Sequence, residues 1–262
     1  MRKPDMINIK TTAEIELMRE SGSLVARILK IVREAIKPGM ATSDIDKLVE
    51  DNILAVGAKP AFKGYRGFPA SACVSIDDEV VHGIPGTRKV QDGEIVSVDV
   101  GVILDGWYGD SATTIPVGDI GEEKIRLLEV TEKALRCGIA KVRAGVRLGE
   151  ISFAIQQCAE SSGFSVVRDL VGHGIGRQMH EDPQVPNFGD VADGPILKTG
   201  MVIAIEPMIN AGSFDVHSKS DGWTVVTADG KPSAHFEHTV AVTESGVDIL
   251  SLLPAGQPNN VC

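Results

Sequence analysis

Glu94-Ile95-Val96-Ser97-Val98-Asp99-Val100-Gly101-Val102-Ile103-Leu104-Asp105-Gly106-Trp107-Tyr108-Gly109-Asp110-Ser111-Ala112-Thr113-Thr114 is the stretch whose reading decides the fold. From Glu94 to Leu104, valine and isoleucine alternate with small or polar residues, which is the period of a strand. Asp105-Gly106 between two strand-like runs is a two-residue hairpin signal. With that turn, Gly101 faces Asp110 and Ala112 faces Asp99. Side chains two apart on a strand share a face. Asp99 and Asp110 are then diagonal neighbours on one face, roughly 7–8 Å apart at the backbone. Two converging carboxylates repel unless a proton or a cation separates them. The geometry suits a metal; two solvated aspartates beside a turn are the alternative for this pair alone.

Three further segments bear on that choice. Gly172-His173-Gly174-Ile175-Gly176 reads as a glycine-rich loop with one histidine. Gly200-Met201-Val202-Ile203-Ala204-Ile205-Glu206-Pro207 is an apolar strand-like run ending in a carboxylate. Ala234-His235-Phe236-Glu237-His238-Thr239-Val240 places Glu237 on another alternating segment. Each has a bland reading as a loop or strand end. With Asp99 and Asp110, Glu206 and Glu237 make four carboxylates, beside the imidazole of His173.

The chain has 262 residues, enough for one large domain or two small ones, and its 43% hydrophobic content supports a packed core. Aromatics make up only 4%, so that core is aliphatic. A net charge of −10, with no basic cluster, argues against nucleic acid or an anionic membrane as partner. Met1-Arg2-Lys3-Pro4-Asp5 leads into no apolar signal-peptide core, and no run of about 18 apolar residues exists to span a membrane. Cys73, Cys137, Cys158 and Cys262 have no close or zinc-ribbon spacing, which fits free thiols in a reduced cytoplasm.

Helical spacing predicts helices over Thr12–Ile36, with Thr11 or Thr12 as cap, and over Ser43–Leu54, with Gly57 as stop. A loop rich in glycine and aromatics covers Phe62–Pro69. Strands follow at Ala72–Ile76, Glu94–Leu104 and Trp107–Thr114. The second half repeats the plan. Helices are expected over Gly121–Val142 and Gly149–Ser161, with strands at Ser165–Asp169, Met201–Glu206, Trp223–Thr227 and Ser233–Val242. The last two flank an Asp229-Gly230 turn. Letters recur between the halves: Lys37-Pro38-Gly39 through Ile45 parallels Arg143-Ala144-Gly145 through Ile151, and Gly57 and Gly163 keep that offset. Gly93–Asp99 parallels Gly200–Glu206, making Asp99 and Glu206 equivalent, with Asp110 and Glu237 as their second-strand counterparts. This predicts a single domain over 1–262 made of two related halves, about 12–115 and 121–245, sharing one sheet about a pseudo-twofold. Any two helix-helix-hairpin units would look somewhat alike.

Asp99, Asp110, His173, Glu206 and Glu237, in this order and these contexts, resemble the metal ligands of the methionine aminopeptidases. The resemblance extends to His82-Gly83-Ile84-Pro85, Met179-His180-Glu181-Asp182-Pro183 and Glu237-His238-Thr239, and covers essentially the whole chain. It is to the short bacterial form of type I, without the zinc-binding extension or the long type II insertion. It implies the α/β (α+β) pita-bread fold, with helices packed on one side of a curved antiparallel sheet. It implies an enzyme, a metallo-exopeptidase of the M24 family, that removes the initiator methionine from nascent polypeptide N-termini when the second residue is small.

The resemblance assigns Asp99 to one metal, His173 and Glu206 to the other, and Asp110 and Glu237 as bridges. Such an oxygen-rich set suits manganese, iron or cobalt, with zinc also compatible. Four carboxylates balance two divalent cations, whose binding would move the net charge from −10 to −6. A water between the metals attacks the first peptide bond. Glu206 is the candidate proton shuttle, and His82 and His180 are implied to contact the scissile peptide. Family positions for the methionine pocket fall on Phe62, Tyr65, Phe68, Cys73, Met179 and Trp223. Cysteine, tyrosine and phenylalanine are frequent where Phe62, Phe68 and Met179 stand here, and the changes keep the pocket apolar. The family's monovalent-cation site lies near Ser75–Val80 and Ser233. Ile76-Asp77-Asp78-Glu79 departs from its pattern, which leaves that cation open. Ribosome contact is compatible with the substrate, though no motif marks it, and a monomer is the default. The rivals are a proline-specific peptidase, a metal-free binding protein and a creatinase-like enzyme of the same fold.

Overall fold

The computed structural model describes residues 7–254. Met1–Asp5 and Cys262, both read above, lie outside the described residues. Four helices carry the outer layer: α1 (Thr12–Ala35), α2 (Thr42–Ala55), α3 (Gly121–Ile139) and α4 (Gly149–Ser161). Helix α1 starts at a capping box, in which the Glu14 N–H donates to the Thr11 hydroxyl and the Thr11 N–H donates to the Glu14 carboxylate. Its inner stripe, Met18, Leu24, Val25, Ile28, Leu29 and Val32, is buried. Ser21 on that face donates to the Trp107 carbonyl, which ties α1 to the hairpin beneath. Helix α3 stops three residues short of the expected Val142. There Lys141 and Val142 continue in tight turns to Gly138 and Ile139, which keep helical letters without the helical ladder.

All strand pairings among the described residues are antiparallel. The hairpin Ile95–Leu104/Trp107–Pro116 turns at Asp105-Gly106, both at positive φ, with Gly101 opposite Asp110 and Asp99 opposite Ala112. Ala72–Ile76 pairs along its other edge, placing Cys73 opposite Asp99. The later strands form a five-stranded sheet ordered Val247–Ile249, His238–Val242, Val202–Ile205, Gly172–Gly174, Glu181–Val185. A three-stranded sheet joins Ser233–His235, Met208–Asn210 and Ser165–Val166, and another joins Val216–Ser218, Val225–Thr227 and Glu79–Val81.

Several sequence expectations are corrected. The halves do not share one sheet, since the described strands fall in four, and two expected strands are shorter, Ser165–Val166 and Val225–Thr227. Ser233–Val242 is two strands, not one, because the chain changes sheet at Phe236-Glu237. Met201–Glu206 is shortened to Val202–Ile205, and Pro207, which has no N–H to give a ladder, separates it from Met208–Asn210. Gly172–Gly174 is a central strand rather than a loop.

The first half packs α1 and α2 on the hairpin around Val25, Ile28, Ile45, Ile53, Val98 and Val100. The second packs α3 and α4 on its sheets around Leu127, Leu135, Ile151, Ile155, Ile203 and Ile205. A smaller cluster of Met18, Trp107, Ile175, Val202, Ala241 and Leu250 joins them. The core is aliphatic, as composition required. Cys73, Cys137 and Cys158 are free thiols.

Candidate metal centre and substrate pocket

The two hairpin aspartates meet the second half along a seam of cross-half hydrogen bonds. The Glu237 N–H donates to the Ala112 carbonyl at 3.0 Å, Ser111 donates to the Glu237 carbonyl at 2.5 Å, and Thr239 donates to the Asp110 carbonyl at 2.8 Å. Glu206 and Glu237 both lie where their strands change sheet: Ile205 pairs with His238 and Met208 with His235, so the two breaks face each other. A glutamate in such a break is released from the alternation of its strand and is free to turn inward. Asn187 holds Glu206 by donating to its carbonyl at 3.2 Å.

His173 comes from the middle of the five-stranded sheet. Its glycine neighbours are needed for close approach: a Cβ at Gly172 would lie 2.3 Å from the Ala204 carbonyl oxygen, and one at Gly174 the same distance from that of Asp182. His173 Nδ1 is 2.9 Å from the Gly174 carbonyl, which only accepts, so Nδ1 carries the hydrogen and Nε2 faces the acids. Nε2 stands 3.7 Å from Asp110 Oδ2 and 3.6 Å from Glu206 Oε1. Ligating atoms of Asp110, His173 and Glu237 all lie within 4.8 Å of one another.

The electrostatics of this cluster call for a cation. Burial first, then the neighbouring carboxylates, raises Asp99 and Glu237 far above the usual carboxylate range. Burial also raises Asp110, against the pull of His173. Glu206 is pushed up to about 8, chiefly by burial. Burial opposes charge on His173, but Asp110 and Glu206 outweigh it and raise the imidazole. Asp99 Oδ1, Asp110 Oδ1 and Glu237 Oε1 are buried with no hydrogen-bond partner among the described residues. Buried polar atoms are nearly always satisfied, so three orphaned carboxylate oxygens beside an imidazole lone pair fit a divalent metal.

A cavity of about 160 Å³ opens onto this cluster. It is lined by every site residue read from the sequence: Asp99, Asp110, His173, Glu206 and Glu237 at the acidic end, Phe62, Tyr65, Phe68, Cys73, Met179 and Trp223 around the apolar part, and His82 and His180. Phe62, Phe68, Cys73 and Met179 are buried in one apolar cluster, with Trp223 edge-on to Phe68 at 5.2 Å. Burial, followed by the acids nearby, raises the Cys73 thiol far above its ordinary value. It is therefore a wall, not a nucleophile.

His82 is half-buried at φ +58 and 6.4 Å from the Trp223 ring; burial lowers its pKa. His180 is exposed at the mouth, 2.7 Å from the Tyr65 hydroxyl through Nδ1, and 4.3 Å from the His173 ring. Desolvation of its inner side, then the positive charges nearby, lowers its pKa to about 3.

The sequence reading missed two residues. Arg66 lines the cavity mouth at φ +48, with its guanidinium 5.3 Å from the Tyr65 ring centroid. His235 is buried with Nε2 3.7 Å from Glu206 Oε2, and its pKa is lowered to about 3 by burial. An arginine between loop residues carries no distinguishing signal. His235 belonged to a quoted segment, but the single-strand reading hid its separate contact with Glu206.

Comparison with known proteins gives this arrangement a family. The description of metallopeptidase family M24 matches residues 16–244. A methionine aminopeptidase of Bacillus subtilis is 53% identical over 94% of this chain and 99% of its own length. The chain belongs to the methionine aminopeptidases of metallopeptidase family M24. The crystal structure of the methionine aminopeptidase from Rickettsia prowazekii superposes with a TM-score of 0.93 at 46% identity, covering 94% of this chain and all of that one. The prolidase from Pyrococcus furiosus shares the fold at 23% identity and a TM-score of 0.77, with 65% of its chain covered. The fold is thus the pita-bread fold of the family. Among the described residues of this methionine aminopeptidase, no helix is long and apolar enough to cross a membrane.

Proposed function

We propose that this methionine aminopeptidase removes the initiator methionine of nascent chains whose second residue is small, using two divalent ions (cobalt, manganese, iron or zinc) held by Asp99, Asp110, His173, Glu206 and Glu237. Asp110 and Glu237 would serve both ions, Asp99 one of them, and His173 with Glu206 the other. The observation that carries the reading is the set of orphaned carboxylate oxygens, from Asp99, Asp110 and Glu237, in the lining of a largely apolar cavity of about 160 Å³. The apolar walls beside the acids suit a single methionine side chain. Phe62, Phe68, Cys73, Met179, Tyr65 and Trp223 exclude water from the thioether.

The metal centre supplies Lewis acidity at the first peptide carbonyl and lowers the pKa of the attacking water. Near neutral pH Glu206, 3.6 Å from His173, would carry a proton from the attacking water to the leaving amine. His180 is neutral at that pH. With the Tyr65 hydroxyl donating to Nδ1, its Nε2–H is left to donate to the developing oxyanion. His82 contacts the peptide from the Trp223 side of the pocket. The chain works as one catalytic domain of two related halves, about 12–115 and 121–245, as a monomer in the cytoplasm. The seam bonds between Ser111, Ala112, Asp110 and the Glu237–Thr239 segment support that single-unit reading.

The test is a peptide panel with Mn(II) or Co(II): Met-Ala-Ser, Met-Lys-Ser and a dipeptide ending in proline. Methionine released from the first alone is the expected result. Cleavage of the proline dipeptide alone would contradict it.

A further inference from the structure

Glu181 follows His180 and is held by a set of partners separate from the metal cluster. Its side chain and that of Lys10 are only 4% and 5% exposed, and Lys10 Nζ donates to Glu181 Oε2 at 2.7 Å. Asn8 donates to the same oxygen at 3.0 Å. The other oxygen, Oε1, accepts the backbone N–H of Arg177 at 2.9 Å and of Gln178 at 3.2 Å. Lys10 is anchored in turn: its N–H donates to the Gly200 carbonyl at 2.7 Å and its Nζ to the Asn8 carbonyl at 3.2 Å. Gly176 makes room for the pair, since a Cβ there would meet Lys10 Cε at 2.6 Å and Glu181 Oε1 at 2.7 Å. One buried carboxylate therefore closes the turn that presents Met179 to the apolar pocket and His180 to the metal cluster, and ties that turn to the segment before α1.

A buried ion pair is a poor device for stability, because desolvating both charges offsets much of their attraction. It is a good device for fixing geometry, since each of its bonds is directional and costly to leave unmade. We propose that Lys10 and Glu181 are positioning residues for catalysis, acting through His180: they fix the 176–181 turn so that the imidazole keeps its place beside Tyr65 and His173. The inference rests on the activity proposed above.

The experiment compares the metal-loaded parent with Glu181→Gln, His180→Ala and the double variant on Met-Ala-Ser, at enzyme concentrations that keep slow turnover measurable. Glutamine keeps an oxygen for the Arg177 and Gln178 N–H groups and breaks the ion pair. E181Q is expected to lower kcat about 10- to 100-fold with KM changed less than about threefold, as a displaced catalytic group would. In the His180→Ala background it should cost less than about twofold, because the residue it positions is gone. Equal losses in both backgrounds, or an unchanged kcat, overturn the inference. If E181Q does not fold, K10R and K10M replace it: K10R should keep kcat within about threefold while K10M reproduces the His180-dependent loss. Equal loss in both overturns it. Backbone hydrogen exchange at 177–180 separates this inference from the activity. It should rise in E181Q, or in K10M, whatever substrate the site takes, and unchanged protection overturns the clamp even where the parent is inactive on methionyl peptides.

Discussion

Asp110 is 3% exposed, lies 3.7 Å from an imidazole nitrogen and has one oxygen without any partner. Replacing Asp110 with Asn keeps its shape and removes the charge that a bridging ligand needs. Metal-supported kcat/KM should fall at least about 100-fold, more than the loss of a group that merely supports a ligand; steady-state kinetics on a methionyl tripeptide at saturating Mn(II) checks this. The same residues set a pH dependence of stability in metal-stripped protein. Asp99, Asp110, Glu206 and Glu237 have folded pKa values raised above their unfolded ones, so the native state binds more protons than the unfolded state. For these acids stability falls as pH rises. The lowered His82, His180, His235 and His238 act in the opposite sense until the unfolded histidines have lost their protons, so the acids dominate from about pH 7 upward, through about 8, the Glu206 value. Thermal melts of the apo protein from about pH 7 to about pH 9 should show a declining Tm, with a shallower decline in D110N. A Tm that rises over that range would contradict the buried-acid account.

At the scale of elements, the hairpin was legible residue for residue. Asp-Gly fixes the turn, alternation fixes the faces, and the register follows with no tertiary information. The strands bearing Glu206 and Glu237 were harder to read. Alternation in Ser233–Val242 is continuous, and only the facing break after Ile205 shows that the chain leaves one sheet for another. His173 was read as a loop residue because two glycines flank it. Their role in close packing against the Ala204 and Asp182 carbonyls depends on strands far away in sequence. The α1 cap was legible only as Thr11 or Thr12; the structure selects Thr11, which forms a capping box with Glu14. Thr11→Ala should cost about 1 kcal/mol of stability, the usual value of an N-cap, with kcat unchanged. Urea melts and kinetics on the same preparation check both halves of that statement.

Over the whole molecule, the site lies on the seam of two separately cored halves. Asp99 and Asp110 come from one, and His173, Glu206 and Glu237 from the other. A cation there joins the halves as well as serving chemistry. Because the metal binds the folded site, saturation at about 100 times Kd should add about 2.7 kcal/mol to stability. A Tm of stripped protein that ignores added Mn(II) or Co(II) would count against the site. The candidate ligands could be named from the sequence because five residues match the pattern of the methionine aminopeptidases, and the fold brings ligating atoms of Asp110, His173 and Glu237 within 4.8 Å of one another. How the halves dock was not legible, because Ser111 to Glu237 and Thr239 to Asp110 are contacts between distant segments with ordinary letters. The most direct test of the central claim is methionine release from Met-Ala-Ser by metal-stripped protein, titrated with Mn(II), beside Asp110→Asn. Stripped protein should release no methionine, release should climb with added Mn(II), and the variant should stay at least about 100-fold slower at every concentration. Equal release from stripped and loaded protein, or from the variant and the parent, would contradict it.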